Sequence, residues 1–168
     1  LFPYTTLFRS NAENPGISGF GDLYQNINQM NLFISRTLHT DVLTESARNY
    51  YLGQVYGLRA YYMYQLYRSW GDVVFTEEPS LGFEVGKLAK AATPAAEIFE
   101  QVKKDIESSL SYFGSDYTIK EKKSLWSKAA TLMLKADVYL WSAHRDGGEG
   151  DARTAKNALV DIQNNISR

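Results

Sequence analysis

The residue types that most often bind metals or transfer protons are few and scattered in this chain. It contains two histidines and no cysteine. His39 and His144 lie far apart, each at the expected end of a helix, and neither has a second ligand four residues away, the spacing of helical zinc ligands. We therefore expect exposed histidines at helix ends, with no catalytic or metal-binding role.

Three carboxylates lie among glycines between Asp146 and Asp151. Calcium binds oxygen-rich loops, but this segment lacks the alternating acids and the closing bidentate glutamate of an EF-hand. We expect a tight turn between helices, with Asp151 as the N-cap of the second helix. The sequence also lacks a nucleophile elbow, a phosphate-binding loop, a dinucleotide fingerprint and a zinc-protease helix. No catalytic residue, metal site or cofactor is predicted.

Arg59 and Asp137 are charged residues within otherwise apolar helical stripes. Ligand contact is one interpretation of such charges. The other is structural, because a buried charge is costly unless it is paired. On that basis we expect Arg59 and Asp137 to pair with each other, or with Asp72 or Asp105, across helix interfaces.

Aromatic residues could stack on sugar rings. Seven of the 12 tyrosines lie between Tyr50 and Tyr67. So dense a set cannot all lie on one exposed helix face, and we expect most of these rings in the core of a central helix. Trp126, Tyr112 and Tyr117 lie in or near predicted loops and are better candidates for ligand stacking.

Apolar residues at steps of three and four predict five helices that would position these groups. The helices cover residues 19–38, 44–70, 94–113, 124–144 and 151–166. In the second helix Gly53 and Gly57 would admit a close neighbour, since an unneeded glycine costs a helix about 1 kcal/mol. A short extended segment is expected near residues 72–76, and Thr93 is the expected N-cap of the third helix.

The arrangement predicted from this pattern is all-α. Successive antiparallel helices with small residues at their contacts are typical of stacked helical hairpins, similar to tetratricopeptide repeats. The stripes expected to be buried include Leu38 in the first helix, Tyr51 in the second, Met133 and Leu140 in the fourth, and Leu159 in the fifth.

The overall composition is that of a globular protein. The 168 residues are 44% hydrophobic and 22% charged, with a formal net charge of −1. This balance gives no electrostatic reason to expect nucleic acid or an anionic membrane as a partner. No apolar run approaches the roughly 20 residues that span a bilayer.

The first ten residues differ from the rest. Residues 1–10 lack periodicity and resemble the in-frame translation of a sequencing adapter, so we expect them to be non-native and exclude them from the fold. Residues 11–168 are then expected to be an internal helical fragment of one larger domain.

Three stretches resemble the SusD/RagB family of outer-membrane nutrient-binding lipoproteins, in the order that the family has them. They are Gly57–Val73, with Arg-Ala-Tyr-Tyr followed by Trp-Gly-Asp-Val; Thr93–Ile106; and the alanine-rich Lys128–Leu140. The matching motif positions are structural ones: Arg59, Ala60, Tyr61, Tyr62, Trp70, Gly71, Asp72, Asp105, Lys128 and Ala129.

The resemblance implies a function that the composition does not. It implies a non-catalytic, surface-exposed protein of the outer membrane that binds oligo- or polysaccharides or other nutrients. Its implied partner is a SusC-like TonB-dependent transporter, and its implied contact with the membrane is a lipid anchor absent from this fragment. The ligand-binding residues stay unknown, because no binding motif of the family maps onto this sequence. The alternative is a helical-repeat scaffold that binds a protein and no carbohydrate.

Overall fold

The structure, a computed structural model, describes residues 21–81 and 90–166, apart from the side chain of Lys122. This part of the chain forms five α-helices, and its extended pairing is limited to one isolated β-bridge. The helices are α1 Gly21–Leu38, α2 Glu45–Trp70, α3 Ala95–Phe113, α4 Lys128–Ser142 and α5 Gly148–Asn165. The predicted all-α fold is confirmed, while residues 1–10 lie outside the described residues.

The boundaries of α2 agree with the predicted range of residues 44–70 to within one residue. The hydroxyl of Thr44 accepts a hydrogen bond from the backbone N–H of Ala47 at 3.3 Å, so Thr44 is the N-cap. Gly71 ends the helix with a φ of 74°, a conformation that glycine adopts without a steric penalty. The direction in which the chain leaves α2 therefore depends on this glycine.

The start of α3 differs from the prediction. Thr93 does not cap the helix, because its backbone pairs with that of Val73 at N–O distances of 3.2 and 2.8 Å. The capping oxygen comes instead from Asp72, whose carboxylate accepts a hydrogen bond from the N–H of Ala95 at 2.8 Å. The extended segment expected near residues 72–76 is thus one bridge that joins the two ends of the α2–α3 connection.

The connection between α4 and α5 also differs from the prediction. Residues Ala143–Gly147 form a π-helical turn, and α5 begins directly after it at Gly148, which has a φ of 55°. Asp151 therefore lies inside the first turn of α5 and is not its N-cap. The prediction was wrong because the glycines reverse the chain one turn earlier than expected. A carboxylate in the first turn still stabilises the helix, because it lies near the positive end of the helix dipole.

The helices stack as consecutive hairpins, as predicted. Each helix packs on the next, and α4 also contacts α2. The two glycines of α2 permit this approach: a Cβ added to Gly53 would lie 2.9 Å from the Phe113 ring, and one added to Gly57 would lie 2.2 Å from Nε1 of Trp126. Close packing therefore leaves no room for a larger residue at either position.

The main core lies where α1 to α4 meet. Its largest members on α2 are Met63, Tyr64 and Leu66, all fully buried. However, Tyr51 and Tyr61 are 43% and 41% exposed, so the tyrosine-rich helix is only partly shielded. Five residues of the predicted buried stripes are exposed: Leu38, Tyr51, Met133, Leu140 and Leu159. Periodicity identified these apolar faces, but it cannot show whether a helix covers them.

No helix in the described residues has the length and hydropathy to cross a bilayer.

Candidate functional site

The predicted pairing of Arg59 is confirmed, with Asp105 as its partner. Nε and Nη2 of Arg59 each donate to one carboxylate oxygen of Asp105 at 2.7 Å. The third nitrogen donates to Oδ1 of Asn31 at 2.8 Å. Arg59 is 2% exposed and Asp105 1% exposed, so this bidentate ion pair is withdrawn from water.

Further polar groups complete this cluster, which we call the Arg59 network. Glu77 lies 3.4 Å from the guanidinium, and Gln101 donates to both Asp105 and Glu77 at 3.0 and 3.2 Å. Burial alone would lower the pKa of Arg59, but the hydrogen bonds and charge of Asp105 raise it, so the guanidinium stays charged. Because the network joins α1, α2, α3 and the segment at Glu77, it holds the scaffold together.

Asp137 does not share this environment. Its side chain is 58% exposed and lies 3.7 Å from Arg68, so the alternative that pairs Asp137 with Arg59 was wrong. The Arg68 guanidinium carbon also lies 5.3 Å from the ring centres of both Tyr64 and Trp141. Burial raises the pKa of Tyr64 to about 12, and the nearby Asp137 carboxylate acts in the same direction. This surface pair therefore borders the core without entering it.

The other motif positions also hold helices in place. Trp70, Gly71 and Asp72 end α2 and cap α3, as described above. Ala60 is fully buried, and Tyr61 packs edge-on against Tyr62 at 5.9 Å. At the start of α4, Lys128 donates to the backbone carbonyl of Gly114 at 2.5 Å, and Ala129 is half-buried. The carbonyl at the end of α3 is thereby satisfied by a lysine of the next helix.

Replacing Asp72 with alanine is expected to lower the free energy of unfolding by about 0.5–2 kcal/mol, the usual cost of a lost N-cap. The cause is the unpaired N–H of Ala95, which now donates to Asp72. Urea unfolding followed by circular dichroism measures the change. Thr93→Ala is the matched control, because its hydroxyl makes no cap hydrogen bond. Equal losses in the two variants would contradict the assignment of Asp72 as the cap.

The three candidate stacking residues are all engaged within the scaffold. The indole N–H of Trp126 donates to Oγ1 of Thr131 at 2.8 Å. The Tyr112 ring stacks on Tyr56 with a centre separation of 5.6 Å, and the Tyr117 hydroxyl donates to Asp161 at 2.5 Å. Trp126 and Tyr117 are therefore structural, while Tyr112 also lines a surface groove.

One groove, the α1 groove, lies between α1 and residues 74–80 and has a volume of about 380 Å³. Two of its polar side chains, Tyr24 and Asn28, already hydrogen-bond to the backbone of the connection. The Tyr24 hydroxyl donates to the carbonyl of Val74 at 2.9 Å, and the Asn28 amide exchanges two hydrogen bonds with the backbone of Ser80 at 3.2 and 2.7 Å. These groups attach the connection to α1, which leaves them unavailable to a ligand.

A second groove, the Tyr50–Tyr112 groove, lies where α2 begins and α3 ends and has a volume of about 430 Å³. Among the described residues, the side chains of Asn49, Ser46 and Ser111 find no hydrogen-bond partner, although all three line it. Hydrogen bonds from Thr118 hold the pKa of Asp116 below its usual value, so its lining carboxylate is a charged acceptor. Free amide and hydroxyl groups, a charged carboxylate and the rings of Tyr50 and Tyr112 suit a hydroxyl-rich ligand.

The described residues contain no group of three or more potential metal ligands. His39 is exposed at the end of α1, where its Nδ1 lies 2.6 Å from the carbonyl of Ser35. His144 is exposed in the π-helical turn. The predicted position of both histidines at helix ends is therefore confirmed.

Comparison with known proteins agrees with this architecture. The SusD-like family model, described as "Starch-binding associating with outer membrane", matches residues 10–140. A curated relative, SusD-like protein P38 of Formosa agariphila, is 34% identical over 113 residues, which are 66% of this chain and 20% of the relative.

Two solved structures are similar over nearly the whole chain. NanU of B. fragilis is 47% identical, with a TM-score of 0.86 over 99% of this chain and 32% of NanU. A SusD superfamily protein of Bacteroides vulgatus is 46% identical, with a TM-score of 0.83 over 96% of this chain and 32% of that protein. The chain thus spans about a third of each. Since the family model matches residues 10–140, most of its length, the chain belongs to the SusD-like family.

Proposed function

We propose that the protein is a non-catalytic glycan- or nutrient-binding component of an outer-membrane uptake system. The observation that carries this proposal is the family model, whose description couples starch binding to the outer membrane and which matches residues 10–140. A SusC-like TonB-dependent transporter is the proposed partner. A lipid anchor on the complete protein would hold it at the cell surface.

The Tyr50–Tyr112 groove is the proposed glycan contact within this part of the protein. Its free side chains offer both donors and acceptors, as sugar hydroxyls require. Glu45 and Asp116 line it, which favours a neutral sugar over an acidic one. Nζ of Lys120 lies 3.7 Å from the centre of the Tyr50 ring, and this exposed side chain would move aside for a sugar to stack there.

Isothermal titration of the complete protein with neutral polysaccharides tests the proposal. Asn49→Ala is expected to weaken binding about 2- to 10-fold, the loss of affinity that corresponds to one neutral hydrogen bond. Asn28→Ala is the matched control: it removes the same amide from the α1 groove, where the structure already uses it.

The outcomes separate the two parts of the proposal. Glycan binding that Asn49→Ala leaves unchanged would contradict the groove and keep the function. A folded protein that binds no polysaccharide would instead favour the protein-binding scaffold.

A further inference from the structure

The Tyr50–Tyr112 groove contains an aromatic ring that already binds a positive charge. Nζ of Lys120 lies 3.7 Å from the centre of the Tyr50 ring, well inside the roughly 6 Å within which a ring face attracts an ammonium group. The Tyr50 ring is itself held in place by Phe113, edge-on at a centre distance of 6.3 Å, and by Tyr51 at 5.6 Å. The face of Tyr50 beneath Lys120 is therefore a preformed contact for a cation.

The charges that line the groove favour the same kind of ligand. Glu45 and Asp116 contribute two carboxylates, and no lysine, arginine or histidine is among the described residues that line it. Hydrogen bonds from Thr118 hold the pKa of Asp116 below its usual value, and the charge of Lys120 acts in the same direction. Lys128 lies nearby, but its ammonium donates to a backbone carbonyl just after α3. Once Lys120 leaves the Tyr50 ring, the lining would therefore carry two negative charges.

The uncharged groups of the lining suit hydroxyls. The amide of Asn49 and the hydroxyls of Ser46 and Ser111 supply both donors and acceptors beside the ring. A neutral sugar would satisfy these groups and leave the cation contact unused, whereas a simple amine would do the reverse. A sugar that carries a protonated amine satisfies both sets of groups.

We propose that the Tyr50–Tyr112 groove binds a glycan with protonated amino groups, one of which replaces the Lys120 ammonium on the Tyr50 ring. This inference rests on the glycan binding proposed above and names the class of sugar. Lys120 then acts as an internal competitor for the ring. A neutral sugar has to displace the same ammonium and offers the ring no charge in exchange, so the groove discriminates against it.

Isothermal titration of the complete protein with two matched trisaccharides tests the proposal. The glucosamine trimer carries an amine on each ring, and the N-acetylglucosamine trimer has the same sugar backbone without the charges. The titrations are run at about pH 6, where amines are protonated. We expect the glucosamine trimer to bind about tenfold more tightly, because a hydrogen bond to a charged group contributes more than one between neutral groups.

Three variants assign this preference to the groove. Asp116→Asn should remove most of it, while the new amide oxygen can still accept the 2.9 Å hydrogen bond from the N–H of Thr118. Asp22→Asn is the matched control and should leave the preference unchanged, because Asp22 is exposed in the first turn of α1 and does not line the groove. Lys120→Gln removes the internal ammonium. It should strengthen binding of the glucosamine trimer about 2- to 5-fold, the effect of losing a competing cation–π contact at an exposed site.

The outcomes separate this inference from the proposed function. Equal binding of the two trisaccharides, or a preference that Asp116→Asn leaves intact, would overturn the inference and keep the function. Trilysine that binds as tightly as the glucosamine trimer would also overturn it, because the sugar hydroxyls would then contribute nothing. A folded protein that binds neither trisaccharide nor any polysaccharide would contradict the proposed function, and the inference with it.

Discussion

Replacing Asp105 with alanine is expected to lower the free energy of unfolding by about 3–5 kcal/mol, the cost of removing one partner from a buried ion pair. The change deletes both 2.7 Å hydrogen bonds to Arg59. The guanidinium, 2% exposed, then remains in the core without an adequate counter-charge. Glu77 cannot replace Asp105, because its carboxylate lies 3.4 Å away and is half exposed. Urea denaturation measured by tryptophan fluorescence gives the loss.

Asp137→Ala is the matched control, since Asp137 also pairs with an arginine. That pair is 3.7 Å long and its two side chains are 41% and 58% exposed. Removing it should cost about 1 kcal/mol or less, the usual value of a surface ion pair. In the double variant Arg59→Met with Asp105→Leu, most of the stability lost by Asp105→Ala should return, because an apolar pair needs no counter-charge. A small loss in Asp105→Ala would contradict the view that the Arg59 network holds the helices together.

The sequence predicted that Arg59 is paired, with Asp105 as one of three possible partners, for a physical reason. A charge on an apolar helical stripe must be paired if it is buried, so Arg59 implied an acid on a neighbouring helix. The same rule misplaced Asp137, because the stripe around it is only partly covered. The rule states that a buried charge needs a partner, but it does not show which charges are buried. Burial depends on neighbouring helices that local periodicity does not describe.

Helix caps show a related limit. The cap of α2 is local, because Thr44 accepts a hydrogen bond from the N–H of Ala47, three residues along the chain. Asp72 caps α3 from the end of α2, across a connection closed by the bridge between Val73 and Thr93. Thr93 had the better local signal but its backbone was committed to the bridge. A cap supplied by a distant residue depends on tertiary structure, which local sequence does not reveal.

The candidate site was less predictable than the fold. Asn49 and Ser111 carry no sequence signal, and they come together only because α2 begins where α3 ends. Trp126 looked like an exposed stacking residue because it precedes α4. The structure instead directs its indole between Gly57 and Thr131. The relevant signal was Gly57 of α2, because the Trp126 ring packs against it and leaves no room for a side chain.

Replacing Gly57 with alanine is therefore expected to destabilise the protein by about 2 kcal/mol, even though alanine is the better helix former by about 1 kcal/mol. The added Cβ would lie 2.2 Å from Nε1 of Trp126 and 2.8 Å from Oγ1 of Thr131. The rigid indole must move, which strains or breaks its 2.8 Å hydrogen bond to Thr131. Chemical denaturation of the variant measures the net effect.

Gly150→Ala is the matched control, because Gly150 is also helical and no atom lies within 4 Å of an added Cβ. That change should leave the free energy of unfolding unchanged or raise it by up to about 1 kcal/mol. Combining Gly57→Ala with Trp126→Ala should cost less than the sum of the two single changes, because the smaller side chain leaves room for the new methyl group. Strict additivity, or a Gly57→Ala variant as stable as the parent, would mean that the Trp126 indole is not what excludes a larger residue at Gly57. The close approach of α2 and α4 would then need another cause.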